Sequence, residues 1–177
     1  MSKTVFWDVD TQLDFVNPSG ALYVPGAEHI IGKIGALNRL AKAQGHALVS
    51  TMDAHPENDV EFKAWPPHCI AGTLGQRKPA ATLVDGQIIF EKVTTDVFLN
   101  PRVEPLLKDL AADRFVVYGV VTEVCVRFAA LGLLKTGARV EVVTDVIRQL
   151  NDDSMQRFFA ELESAGGTLV TSDTLER

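Results

Sequence analysis

The chain has 177 residues, 46% of them hydrophobic, a length and composition that suit one domain with a sizeable core. Its net charge of -6, with no cluster of lysine and arginine, argues against binding to a nucleic-acid backbone. No apolar run approaches the ~20 residues that cross a bilayer, and acidic residues appear too early for a secretory leader. A soluble, cytoplasmic protein with no nucleic-acid or membrane partner is therefore expected, and its two cysteines are expected to remain thiols.

In chain order, short β-branched and aromatic runs alternate with segments of helical period, the pattern of βαβ units around a parallel sheet. The first strand is expected over 3–9. It carries Asp8 near its end and leads into Asp10, Gln12 and Asp14. Asp8 reads as a polar group within the strand and Asp14 as a partner for nearby backbone N–H groups, whereas Asp10, at the end of an apolar strand, suits a general base. Apolar residues at three- and four-residue steps from Ile30 to Ala41 predict a helix over 28–44, closed by Gly45.

A second strand over 46–52 leads into Asp53 and His55, which are two apart, so that an extended backbone points both side chains the same way. His68 follows in the same long, proline- and glycine-rich segment, 53–86, whose length without a helical stripe marks a functional loop. Asp53, His55 and His68 together form a set of oxygen and nitrogen ligands suited to one divalent ion, zinc first, iron or manganese next, with positions left open. Asp59 and Glu57 are further ligands or solvated loop charges; Cys69 reads as a packing residue. His29 and His46 read as surface or capping residues.

A third strand over 87–92 ends on Lys92, placed to hold Asp10 ionised or to neutralise developing negative charge. After a helix near 101–112 comes a strand over 114–120, then a helix over 122–136 with Thr122 as its expected N-cap and Cys125 in its first turn. Two readings of Cys125 stand. It is a small hydrophobe packed on the sheet, or a nucleophile whose pKa is lowered by the helix N-terminus, with backbone N–H groups ready for an oxyanion. A strand over 138–144, a helix near 152–165 and a strand over 167–171 complete a six-stranded, mostly parallel α/β chain. Ligands of such sheets bind at the carboxyl ends of the strands, where Asp10, Lys92 and Cys125 all lie.

Several ordered motifs resemble the isochorismatase-like cysteine hydrolases, and among them the nicotinamidases. "DTQLDF" is similar to D-x-Q-N-D-F, with Leu13 in place of asparagine, and "GALYVPGA" to the stretch that follows it. "MDAHPEN" and "WPPHC" resemble the nicotinamidase metal loop, "YGVVTEVCV" the nucleophile motif and "VVTDVIRQL" the strand after it. The resemblance implies a three-layer α/β/α, Rossmann-like fold over 1–177, usually oligomeric, with Cys125 as nucleophile, Asp10 as proton acceptor and donor, and Lys92 as the third member of a triad. It further implies a cis peptide between Val120 and Val121, oxyanion-hole N–H groups from Val121 and Cys125, metal ligation by Asp53, His55 and His68, and an aromatic sandwich of Phe15 and Trp65. The implied activity is hydrolysis of nicotinamide through a thioester. Another small amide or ureido substrate, or a silent binding module of the same fold, is the alternative.

Overall fold

The run Thr4–Val9 is buried at every position, as expected for a strand covered on both faces. It forms β1, at the middle of a six-stranded sheet in the order β3-β2-β1-β4-β5-β6, with every pairing parallel. The other strands are β2 (Ala47–Asp53), β3 (Ile88–Lys92), β4 (Arg114–Val120), β5 (Arg139–Arg148) and β6 (Thr168–Val170). The computed structural model describes residues 3–175.

Among the described residues five α-helices accompany the sheet: α1 (Leu13–Val16), α2 (Ile31–Ala43), α3 (Val103–Leu110), α4 (Arg127–Leu134) and α5 (Asp152–Ser164). From β1 the chain builds outward through α2 to β2 and β3, then returns across the sheet to β4 and builds the opposite way. Right-handed crossovers in opposite directions place α2 on one face and α4 and α5 on the other, giving the expected three layers. Trp7, Phe115, Val117, Leu133 and Leu162 are among the residues of the continuous core. Among the described residues, no helix is long and apolar enough to cross a membrane.

Most element boundaries fall within a few residues of expectation, and the exceptions have local causes. The helix expected from 28 opens as a 3-10 turn, Ala27–Ile30, and Gly45 ends it in the left-handed region at φ 71°. Strand β5 runs on past the expected end to Arg148, and in the added stretch the carboxylate of Asp145 is taken by Lys33 at 2.6 Å and by the hydroxyl of Ser172 at 2.6 Å. Where β5 continues, its register against β4 shifts between Val117 and Gly119. Gly119 has φ 119°, and a Cβ there would lie 2.2 Å from the carbonyl oxygen of Val9, so this approach of β4 to β1 admits glycine alone.

The N-cap expected at Thr122 is corrected. Thr122–Val126 is a π turn, Val121 occupies the position before it, and the buried Thr122 hydroxyl makes no hydrogen bond. Sequence periodicity does not signal such a turn, which adds one residue to an otherwise helical stretch.

Candidate active site

The chain reverses its building direction between β1 and β4, so the crevice beyond their carboxyl ends is the switch point at which ligands of such sheets bind. Asp10 leaves the end of β1 there and Cys125 lies on the π turn after β4. Lys92 arrives from the end of β3, two strands away.

Three contacts fix Asp10, which is fully buried. Its N–H donates to the Thr51 carbonyl at 3.1 Å, the Thr51 hydroxyl donates to its Oδ1 at 2.7 Å, and Lys92 Nζ lies 2.8 Å from its Oδ2. The backbone at Asp10 is left-handed, φ 48°. The next turn is held by Gln12, whose side chain acts like an added length of strand: it accepts from Asp53 N–H at 2.7 Å and donates to the carbonyls of Asp53 at 2.7 Å and Gln76 at 2.8 Å. Leu13 supports the same turn through its backbone, donating to the Arg77 carbonyl at 2.8 Å.

Lys92 Nζ bridges the acid pair. It lies 2.5 Å from Asp53 Oδ1 as well as 2.8 Å from Asp10 Oδ2, and 3.9 Å from Cys125 Sγ. Burial opposes its charge, but the two carboxylates outweigh burial and hold the ammonium well above the ordinary lysine range. For Asp10 the balance goes the other way: burial, aided by the Asp53 charge, raises its pKa despite Lys92.

The expectation of a lowered thiol pKa at Cys125 is corrected. Burial drives this thiol well above its ordinary range, with Asp10 and Asp53 adding to the rise and Lys92 opposing it. Nucleophilic use of this sulfur therefore calls for a base within reach. Cys69 is also a buried free thiol, pushed far upward by burial, and its N–H donates to Asp14 Oδ2 at 2.7 Å. Asp14 also accepts from Ala21 N–H at 3.0 Å, so it ties loops together as expected. Gly75 makes this possible, since a Cβ there would lie 2.2 Å from the Asp14 carboxylate.

Asp53, His55 and His68 come together, with one ligand atom from each lying within 4.8 Å of the others, and all three residues are buried. His55 Nε2 lies 3.8 Å from Asp53 Oδ2, and His68 Nε2 3.9 Å from the same oxygen. Tetrahedral ligands at zinc–nitrogen bond lengths lie about 3.3–3.4 Å apart, so both pairs would draw in by about half an ångström around a shared ion. Both rings are also aimed. His55 Nδ1 contacts Asp59 Oδ2 at 3.0 Å, and His68 Nδ1 contacts the Pro66 carbonyl at 2.7 Å, leaving each Nε2 toward Asp53. Among the described residues His55 Nε2 is a buried polar atom with no hydrogen-bond partner, which suits a metal-ligand role.

Asp59 thus orients a ring rather than joining the set, and Glu57 is exposed. His29 is exposed, and His46 stacks on Phe6 at 5.9 Å.

A narrow cleft with a free volume of ≈ 20 Å³ opens beside these groups; Phe15, Trp65, His68, Asp53, Val121 and Cys125 line it. Glu61 lines it too, and was missed by sequence reasoning. Its only signal was its place six residues after His55, inside a stretch that reads as loop. A wider cleft of ≈ 910 Å³, beside Phe98, Phe128 and Leu107, holds none of this chemistry. The peptide between Val120 and Val121 is cis.

An all-parallel sheet with a thiol, a carboxylate and an ammonium at its switch point is a hydrolase-like frame. The chain belongs to the isochorismatase domain family, whose sequence model matches residues 5–174. Among its relatives, the nicotinamidase of Escherichia coli is 29% identical, over 92% of each chain. Among solved structures, the pyrazinamidase of Pyrococcus horikoshii in complex with zinc superposes with a TM-score of 0.90 at 31% identity, covering 96% of this chain and 99% of that one. PnC1 of L. infantum, in complex with nicotinate, superposes with a TM-score of 0.84 at 28% identity, covering 97% of this chain and 94% of that one.

Proposed function

We propose that this chain is an amidohydrolase that converts nicotinamide to nicotinate and ammonia through an acyl-enzyme on Cys125. One observation carries the reading: Cys125, Asp53 and His68 line one cleft with Phe15 and Trp65, while directly behind it Lys92 joins Asp53 to Asp10 and lies 3.9 Å from Cys125 Sγ, and His55 completes the ligand set.

Asp10 takes the thiol proton as Cys125 Sγ attacks the carboxamide carbon, because burial favours the neutral form of the thiol. The N–H groups of Val121 and Cys125 receive the oxyanion. The protonated Asp10 then gives its proton to the amide nitrogen, the C–N bond breaks and ammonia leaves a thioester. A water molecule, losing a proton to Asp10, attacks the thioester; nicotinate departs and the thiol is restored. Lys92 keeps the region from accumulating negative charge as Asp10 alternates between its two forms.

Asp53, His55 and His68 would hold one divalent ion, zinc by donor type, which supplies a Lewis-acid anchor for the ring nitrogen directly or through water. Phe15 and Trp65 flank a flat ring. The protein acts as a single domain, is cytoplasmic and assembles as a homo-oligomer. Incubation with nicotinamide should release equal amounts of ammonia and nicotinate, and an aldehyde analogue should add covalently to Cys125. Absence of both products with folded, metal-loaded protein overturns the reading.

A further inference from the structure

A second buried charge pair lies on β1 just before the site. Asp8 is fully buried, and its Oδ2 lies 2.9 Å from Nζ of Lys78, itself 6% exposed. The Thr11 hydroxyl donates to Asp8 Oδ1 at 2.7 Å, while Asn38 Nδ2 and the Ser50 hydroxyl each donate to Oδ2 at 3.1 Å. Lys78 also donates to the Thr11 hydroxyl. Every group in the cluster is satisfied, yet such a pair is a weak source of stability, because apolar residues of equal volume often serve the fold as well or better.

What the cluster grips is the turn that carries Asp10. Thr11 follows Asp10 directly, and the segment 76–78 clamps three successive residues: Lys78 through the Thr11 hydroxyl, Gln76 through Gln12 and Arg77 through Leu13 N–H. A non-glycine residue at positive φ persists only where its surroundings fix it, and Asp10 stands at φ 48°. We propose that Thr11, pinned by the Asp8–Lys78 pair, is a positioning residue that fixes the direction of the Asp10 carboxylate toward Cys125. This inference rests on the reading of Asp10 as the proton acceptor for Cys125.

Thr11→Val keeps shape and β-branching while removing the hydroxyl, and Thr11→Ser keeps the hydroxyl; Thr11→Ala replaces valine as the probe if the valine variant does not fold. With nicotinamide, the hydroxyl-free variant should lose about tenfold to a hundredfold in kcat, the range expected for slight misplacement of a reacting group. Its KM should stay within about twofold, and Thr11→Ser should recover most of the lost kcat. Alkylation of Cys125 by iodoacetamide, followed by intact mass, should slow in the hydroxyl-free variant and recover in Thr11→Ser.

The alkylation arm needs no substrate. If wild-type protein fails to hydrolyse nicotinamide, the substrate reading falls while the alkylation rates still decide the positioning role. A folded hydroxyl-free variant whose kcat and alkylation rate both match wild type overturns the proposal, as does a rise in KM alone or a Thr11→Ser variant no better than the hydroxyl-free one.

Discussion

Replacing Asp10 with asparagine separates proton transfer from architecture. Asparagine tolerates left-handed backbone as aspartate does, so the φ of 48° is retained. The acceptor for the Thr51 hydroxyl, now 2.7 Å away, can be kept, but the oxygen 2.8 Å from Lys92 Nζ then becomes an amide nitrogen and two donors face each other. Lys92 still has Asp53 at 2.5 Å, so the ammonium is not left uncompensated. The loss is close to one charge-assisted hydrogen bond, about 1.5–3 kcal/mol. A fold with about 5–15 kcal/mol to spare withstands that. The catalytic loss is separate: removing a general base costs about 10²–10⁴-fold in rate, or about 3–5 kcal/mol of barrier at ~1.4 kcal/mol per decade. Ammonia release at saturating nicotinamide, with circular dichroism and urea denaturation on the same samples, measures both. A folded Asp10→Asn protein whose rate stays within about tenfold of wild type refutes the assignment of Asp10 as the base.

Cys125→Ala should abolish turnover while Cys69→Ala retains it; the opposite outcome, read by ammonia release and intact mass, would transfer the nucleophile to Cys69. Benzamide has the shape of nicotinamide without the ring nitrogen, so it should be the poorer substrate, and chelation or His55→Ala with His68→Ala should erase most of the difference. Elemental analysis tracks the metal; an undiminished preference in metal-free protein argues against this role for the three ligands. Asp145 is raised by burial, but its bonds to Lys33 and Ser172 outweigh this and hold the carboxyl down to about 2, against an ordinary 3.8. Its contribution to stability is therefore complete above the ordinary value and disappears as pH falls through about 2. Asp145→Asn should flatten that acid limb in thermal denaturation, and an unchanged limb would refute the linkage.

The strands were legible because β1, β2 and β4 are short runs rich in β-branched, aromatic and other apolar residues, and the residues at their ends are those the switch point gathers. The meeting of Asp53, His55 and His68 was legible because Asp53 and His55 share a face of extended chain and His68 lies in the same loop. Asp8 was legible only as a polar residue in a strand: its partner Lys78 is far along the chain in a segment without periodicity. The π turn at Cys125 was hidden because the apolar pattern on either side is that of an ordinary helix. The thiol's raised pKa was hidden for a related reason, since exposure is a tertiary quantity and the sequence signals only the nearby helix end.

Strand β3 lies at the edge of the sheet and pairs with β2 alone, and Lys92 is its last residue. An edge strand has half the backbone partners of an interior one and is the ordinary place for a sheet to fray. Here fraying would carry a cation away from two buried carboxylates and leave Asp10 and Asp53 facing each other without compensation. The charges gathered for chemistry therefore act as a clasp, fastening the outermost strand to the strands beside it. Hydrogen exchange along β3 should reflect the protonation of that acid pair as much as the strength of its own ladder.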